Sequence, residues 1–406
     1  MKTRWLVYFS GIVTACAATE PIGDQADPAP HPLEAPDAMP ADGGADADSS
    51  SCDDCEYFPE ACSLDVLCSS GLFDPAPSGA GLDYRTTISA IRGRSRTDVW
   101  ATGSGGALAR FDGTSWTRVN LGIQETMKAL WLRESSEISL AGFDRLYARG
   151  VDVPDGGVAT VDGAWARYNP SYATGEEPNS NGDVFSTVWA ARGAEWLWCG
   201  AQANTLYGSF GVGGLWRLRQ RAAEPFEGES GISKASCVWP SCTDPAADAK
   251  VSSIHGWSAN DLWAVGLSGV TLRISEAQGA APSATTYNSQ TLNALKGVWA
   301  ASATEAWSVG AAGTIRRYTG DPLLWDIVPD VPTAVNLNAI WGSSNTDVWA
   351  VGDDSVVLHF DGTSWSRVKI AGLGQLRPQL TTVWVAESGH VWIGGHGVLL
   401  SLGGRP

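Results

Sequence analysis

Apolar and polar positions along this chain follow a long regular beat. One phrase consists of an acid, an apolar pair usually containing tryptophan, two further residues and a glycine. It stands at 98–103 (DVWATG), 195–200 (EWLWCG), 261–266 (DLWAVG), 305–310 (EAWSVG) and 347–352 (DVWAVG). Two weaker copies are EISLAG at 137–142, which lacks the tryptophan, and HVWIGG at 390–395, which lacks the acid. A shorter apolar phrase precedes each copy: AIRG, ALWL, TVWA, SIHG, GVWA, AIWG and TVWV. Four copies are followed by a third run ending near Asp-Gly or Gly-Asp and a further tryptophan, as in LHFDGTSW. Runs of this length between glycine turns read as short strands, not helices. Seven units, 42 to 44 residues long where undecorated and each with about four strands (a to d), predict an all-β, seven-bladed β-propeller.

The repeat solves one packing problem seven times. Strands a and b of a blade are covered on both faces by neighbouring blades and therefore read as nearly continuous apolar runs. Trp349 and its counterparts Trp100, Trp263, Trp307 and Trp392 are large enough to fill the wedge that opens between blades away from the axis. Asp-Gly at 112–113 and 361–362 suits a tight c-to-d turn. Runs such as WTRVN, WARYN, WRLRQ, WDIVP and WSRVK read as strand d, but the chain ends at VLLSLGGRP before a seventh can form. Residues 70–86 are expected to supply that strand and close the ring, removing an exposed edge. The propeller would then span 71–406. The acids Asp98, Glu137, Glu195, Asp261, Glu305 and Asp347 recur around the ring, so they are assigned to turn capping and not to catalysis.

Composition agrees with this reading: 20 Trp and 47 Gly against 3 Met suit aromatic-packed strands joined by turns. The formal charge of −17 is unevenly spread, because residues 17–68 hold 13 Asp and Glu and no Lys or Arg. No basic stripe exists for a phosphate backbone, so nucleic acid is not an expected partner. Residues 17–51, rich in Ala, Pro, Asp, Gly and Ser, cannot bury enough apolar surface to offset ordering and read as a disordered acidic tether. Residues 52–70 carry Cys52, Cys55, Cys62 and Cys68, expected to form two disulfides with three pairings open. Cys237 and Cys242 would close a third bridge, leaving Cys199 as a buried thiol.

Two cations, an apolar run from Trp5 to Val13 and small residues before Cys16 make an export signal too short to span a bilayer. The sequence Val13-Thr14-Ala15-Cys16 resembles the lipobox of bacterial lipoproteins. That resemblance implies cleavage before Cys16, acylation of Cys16 as a membrane anchor, and a place at the outer membrane or cell surface. FDGTSW at 360–365 matches the Asp-box of sialidase-like propellers only in part, since Asp361 directly adjoins Gly362. Over roughly residues 80–406 the repeats resemble those of bacterial surface lipoproteins with Kelch-like or BNR-like propellers, a likeness that implies fold rather than activity.

Function is expected where the repeat is broken. Long d-to-a insertions at 169–184 and 222–249 share one face with the b-to-c turns, and loops of this length are often functional. Tyr172, Glu176, Glu177, Lys234 and Trp239 are the candidate ligand contacts there. Asp353 and Asp354 beside His396 form a candidate metal site on the same face. The expected function is that of a monomeric, non-enzymatic surface module that binds a protein or glycan without a cofactor. The alternative is a glycosidase or lyase acting on extracellular polysaccharide, which would need paired carboxylates.

Overall fold

A computed structural model describes residues 55–73, 81–151, 158–160, 163–172, 178, 183–203, 214–221, 226–232 and 250–403. It is a seven-bladed β-propeller, each blade an antiparallel sheet with strand a innermost. Blade four shows the undecorated unit: a (Val251–Ser258), b (Asp261–Gly266), c (Thr271–Ser275) and d (Ser283–Thr286). Strand a of the other blades is Ile88–Ser95, Ala129–Leu132, Asp183–Trp189, Leu295–Ser302, Leu337–Ser344 and Leu380–Glu387, in blade order. Among the described residues no helix is long and apolar enough to cross a membrane.

The expected wedge tryptophans hold blade to blade. Trp100, Trp263, Trp307 and Trp392 each meet a tryptophan of the next blade edge to face: Trp165 at 5.7 Å, Trp325 at 4.8 Å, Trp365 at 5.5 Å and Trp116 at 5.2 Å between ring centroids. This geometry sets the positive edge of one ring against the negative face of another. The Asp-Gly turns also form as expected: Asp361 Oδ1 accepts from the backbone N–H of Thr363 and Ser364, and Gly362 sits at φ 97°.

The closing strand is Leu67–Ser69, just upstream of the segment expected to supply it. It pairs antiparallel with Val398–Leu402, placing Leu67 opposite Leu402 and Ser69 opposite Leu400. The expected segment includes Pro75 and Pro77, and proline lacks the donor a strand needs. Phe73 and Leu82 instead form a single bridge and pack into the core between blades seven and one. Cys62 is bonded to Cys68 beside the closing strand, which selects one of the three pairings left open by the sequence. Cys16, Cys52, Cys237 and Cys242 and the side chain of Cys55 lie outside the described residues.

Blade three departs from the expected register. WRLRQ begins within strand c (Gly214–Arg219), and strand d is Glu227–Ser230, inside what reads as insertion. Without a landmark tryptophan, that short polar strand has no pattern of its own. Ser171–Tyr172, from the connection leaving blade two, adds a parallel strand outside strand d of blade three. Ile370–Ala371 does the same beyond the closing strand of blade seven.

The recurring acids bridge strands and do not cap turns. In five blades the acid opening strand b pairs with a basic side chain twelve residues later on strand c, an arginine in four (Asp98 with Arg110, Glu137 with Arg149, Asp261 with Arg273, Glu305 with Arg317) and a histidine in the fifth (Asp347 with His359). Several of these cations also cover the strand b indole, as Arg317 lies 4.7 Å from the Trp307 ring centre. Burial opposes ionisation of Asp98, but hydrogen bonds from Arg94 and Arg110 outweigh it and hold the carboxyl below its usual range. These acids are scaffold, as their repetition implied.

Candidate functional site

Seven strands a converge on the axis, and each presents an equivalent position to it. In the phrases AIRG, ALWL, TVWA, SIHG, GVWA, AIWG and TVWV the third residue is Arg92, Trp131, Trp189, His255, Trp299, Trp341 and Trp384. The repeat favours tryptophan; blades one and four break it with a cation and an imidazole. The Arg92 guanidinium lies 4.6 Å from the Trp341 ring centre. His255 meets the same indole edge to face at 4.9 Å, and its Nδ1 accepts from the Ala300 N–H at 3.1 Å. Trp341 is thus held between a cation and a neutral ring, and the three side chains form a plug across the axis.

Close packing around this layer dictates its glycines. The Trp384 ring lies where a Cβ on Gly93 would stand, 2.4 Å from its nearest atom, and Trp299 covers Gly342 in the same way at 2.8 Å. Each indole therefore lies on the backbone of the following blade, locking the inner strands together.

Two cavities share the plug as a wall. On the side of the a-to-b turns, a mouth of about 280 Å³ is lined by Trp131, Trp189, Trp341, Trp384 and His255 together with Arg92, Arg94, Arg133, Arg192 and Glu134. Arg94 is committed to Asp98 and Glu137, both at 2.6 Å. Arg133 donates to the neutral Gln220 Oε1 at 2.8 Å, and Arg192 is exposed. Among the described residues one carboxylate, Glu134, lines this mouth against four arginines, so its field is positive over an aromatic floor. The second cavity, of about 150 Å³, lies toward the N-terminal ends of strands a.

Burial pushes the His255 imidazole down to about 3, with the Arg92 charge adding to the effect, and burial alone pushes Arg92 down to about 10. In the unfolded chain a histidine protonates below about 6.5, so between that value and about 3 the unfolded state binds the extra proton. The contribution of His255 to stability is therefore complete above pH of about 6.5 and is lost progressively as pH falls. One such proton gives a slope approaching ~1.4 kcal/mol per pH unit. Urea denaturation at several pH values between about 6.5 and about 4.5 should show that slope, and His255→Phe should flatten it. Equal slopes in the two proteins would contradict a buried neutral imidazole.

Of the residues predicted from the insertions, Tyr172 alone is among the described residues. Tyr172 lies on the added outer strand of blade three, its hydroxyl donating to the Phe143 carbonyl at 2.9 Å and its ring packed against Trp216. Burial pushes its phenol well above the usual range, and the side chain fastens blade three to blade two. Glu176, Glu177, Lys234 and Trp239 lie outside the described residues. Cys199 is fully buried, and burial raises its thiol far above the usual range, in keeping with a packing role.

The candidate metal residues are not brought together. Asp353 accepts from Asn336, Asn338 and Gln379, each at 2.8 Å, which fills its oxygens with amides. Asp354 sits exposed in the left-handed region of the same turn, and His396 bonds Thr87 of blade one at 3.0 Å. Among the described residues no three His, Cys, Asp or Glu side chains could share an ion. The physical reason is that each b-to-c turn clasps the loop entering the next blade: Gly106 N–H donates to the Glu125 carbonyl, Gly313 to Val335 and Ser355 to Pro378. Asp353 and Ser355 add their side chains to that clasp through Gln379 and the Pro378 carbonyl.

The axial residues were readable in principle. Arg92 and His255 are the two strand a positions that break a run of tryptophans, a departure visible once the short phrases are aligned with the long ones. The fold and this axial mouth define a seven-bladed propeller with a cationic, aromatic central opening. No family model and no curated protein matches the sequence. Among solved structures, the chain is similar to one titled YCF48 bound to D1 peptide, with a TM-score of 0.56 and 12% identity over 85% of this chain and 97% of that one. It is also similar to YCF48 from Cyanidioschyzon merolae, with a TM-score of 0.56 and 13% identity over 79% of this chain and 97% of that one. At such identities the likeness is one of fold.

Proposed function

We propose that this chain is a non-enzymatic binding module that holds an acidic, partly apolar segment of a partner protein in the mouth on the a-to-b side. The observation that carries this reading is the pairing of an indole floor with Arg92, Arg133 and Arg192, which make no ion pair with a carboxylate among the described residues. Indoles supply apolar contact area at low entropic cost, and guanidinium groups bind carboxylates through paired hydrogen bonds. A propeller of similar fold has been solved with a peptide bound, which supports the same use of the scaffold. Glycoside hydrolysis calls for two carboxylates facing one bond, whereas Glu134 is the single carboxylate at this mouth and the second cavity has none. In this reading the chain is exported and anchored through Cys16 at the outer membrane or cell surface, with residues 17–51 as its tether.

The test is selection of binders from a displayed library of random peptides, followed by fluorescence anisotropy. Acidic peptides should be enriched, and Trp189→Ala and Arg192→Glu should each weaken binding at least about tenfold. Enrichment without acidic bias, or unchanged affinity in both variants, would remove the mouth as the site. Binding to a glycan array and to no peptide would turn the reading toward sugar stacking on the same indoles.

A further inference from the structure

The second axial cavity has a chemistry of its own. Three residues before the plug position stand Ser89, Lys128, Ser186, Ser252, Lys296, Asn338 and Thr381, on strands a or, for Lys128, directly before one, and all line one chamber. Five short polar residues recur there, and blades two and five replace them with lysine. Those blades stand on opposite sides of the ring, so two ammonium groups reach into one space from across the axis. Arg92 contributes to the same lining, and no Asp or Glu does.

The ammonium groups are incompletely satisfied by the protein. Lys128 Nζ donates to the Phe185 carbonyl at 3.2 Å, and Lys296 Nζ to Asn338 Oδ1 at 2.9 Å. Each ammonium carries three N–H donors, so among the described residues two on each remain for another acceptor. Both lysines are half-buried, and burial, with the like charge of Arg145, pushes the Lys128 ammonium below its usual range. Asp353 is one amide further out: Asn338 accepts from Lys296 and donates to Asp353 at 2.8 Å. Its carboxylate is filled by amide donors and does not meet either lysine directly. Asp353 feels the Lys296 charge without touching it, and among the described residues no carboxylate contacts either lysine; like charges held partly out of water in this way are costly, and an anion between them offsets that cost. At about 30 Å³ per water the chamber has room for roughly five waters, enough for a small anion that keeps part of its hydration.

We propose that this chamber binds a small oxyanion, held by Lys128 and Lys296 and by the hydroxyl and amide groups of the same layer. The shared ligand chemistry is a compact group of anionic oxygens, whether free sulfate, free phosphate or a carboxylate. The site is a separate cavity from the mouth on the a-to-b side: Arg92 and Trp341 line both, whereas Lys128 and Lys296 line this one and His255 the other.

The experiment uses the purified chain with sulfate, phosphate and acetate in separate titrations by calorimetry at constant ionic strength. At least one anion should bind saturably at one site per chain, and the three arms identify which. Lys128→Met and Lys296→Met should each weaken that binding at least tenfold, while Lys369→Met, at an exposed lysine, should leave it unchanged. Lys128→Gln and Lys296→Gln serve if a Met variant fails to fold, as judged by circular dichroism. Crystals soaked in selenate give a second readout in the unaltered chain: anomalous density between the two lysines supports the site. No saturable binding of any of the three anions, equal affinity in folded lysine variants, or selenate bound only elsewhere would overturn it. Peptide binding at the other mouth should survive the lysine substitutions, so the two readings can fail separately.

Discussion

Trp263→Ala should destabilise the propeller by about 3–5 kcal/mol, the range for removing a large aromatic side chain from a packed core. Trp263 is fully buried and touches Tyr287, Tyr318 and Trp325 at ring separations of 4.7–4.8 Å, two of which belong to the next blade. Its loss opens a cavity at the seam between blades four and five, where rigid sheets on both sides cannot collapse to fill it. Trp263→Phe should cost much less, because the indole N–H has no hydrogen-bond partner and most of the apolar contact survives. Trp349→Phe differs, since that indole donates to Asp347 at 2.8 Å. Urea denaturation of the three variants tests the ordering. A Trp263→Ala cost below about 1 kcal/mol would show that the wedge is not the element holding the seam.

The second large effect concerns ring closure. Leu67→Asp should cost about 4 kcal/mol or more, because Leu67 is fully buried in the core of blade seven and a carboxylate there would have to stay neutral or pull the strand out. Loss of Leu67–Ser69 from the sheet also bares the edge of Val398–Leu402, where another chain can pair. Reduced stability should therefore be accompanied by concentration-dependent association in size-exclusion chromatography. Leu64→Asp, at a position 89% exposed in the same segment, is the control and should change stability by less than about 0.5 kcal/mol. Similar stability of the two variants would mean that the ring holds without its closing strand.

Why the closing strand was displaced from its expected segment, while the blades were read correctly, is a matter of pattern strength. DVWAVG and its relatives repeat because each faces the same two neighbours, so comparison within the chain exposes them. Leu67–Ser69 occurs once, is three residues long, and is recognised only by its partner strand at the far end of the chain, where Leu67 stands opposite Leu402. Strand d of blade three, GES preceded by Glu227, is polar for the same edge position and escapes a hydrophobic pattern entirely. The recurring acids were rightly set aside as scaffold, but their partners on strand c lie twelve residues away across a turn and become evident only when the hairpin is folded.

The candidate sites divide in the same way. Tyr172 looked available in an insertion of polar residues, yet the outer strand it joins buries its ring against Trp216. Asp353 and His396 sit on corresponding turns of adjacent blades, but each turn spends its polar groups on the following blade. Conversely, Arg92 and His255 lie in short phrases that read as ordinary apolar strand.

The sequence by itself determined the all-β character, the number of blades and the residues that fill the seams, because each follows from a local pattern repeated under the same packing constraint. Tertiary structure alone decided which strand closes the ring, which acids pair with which cations, and what meets on the axis. Arg92, His255 and Trp341, like Lys128 and Lys296, are far apart in the chain and become neighbours only when the seven inner strands converge. A central opening is a property of the closed circle, and no single blade contains the information that specifies it.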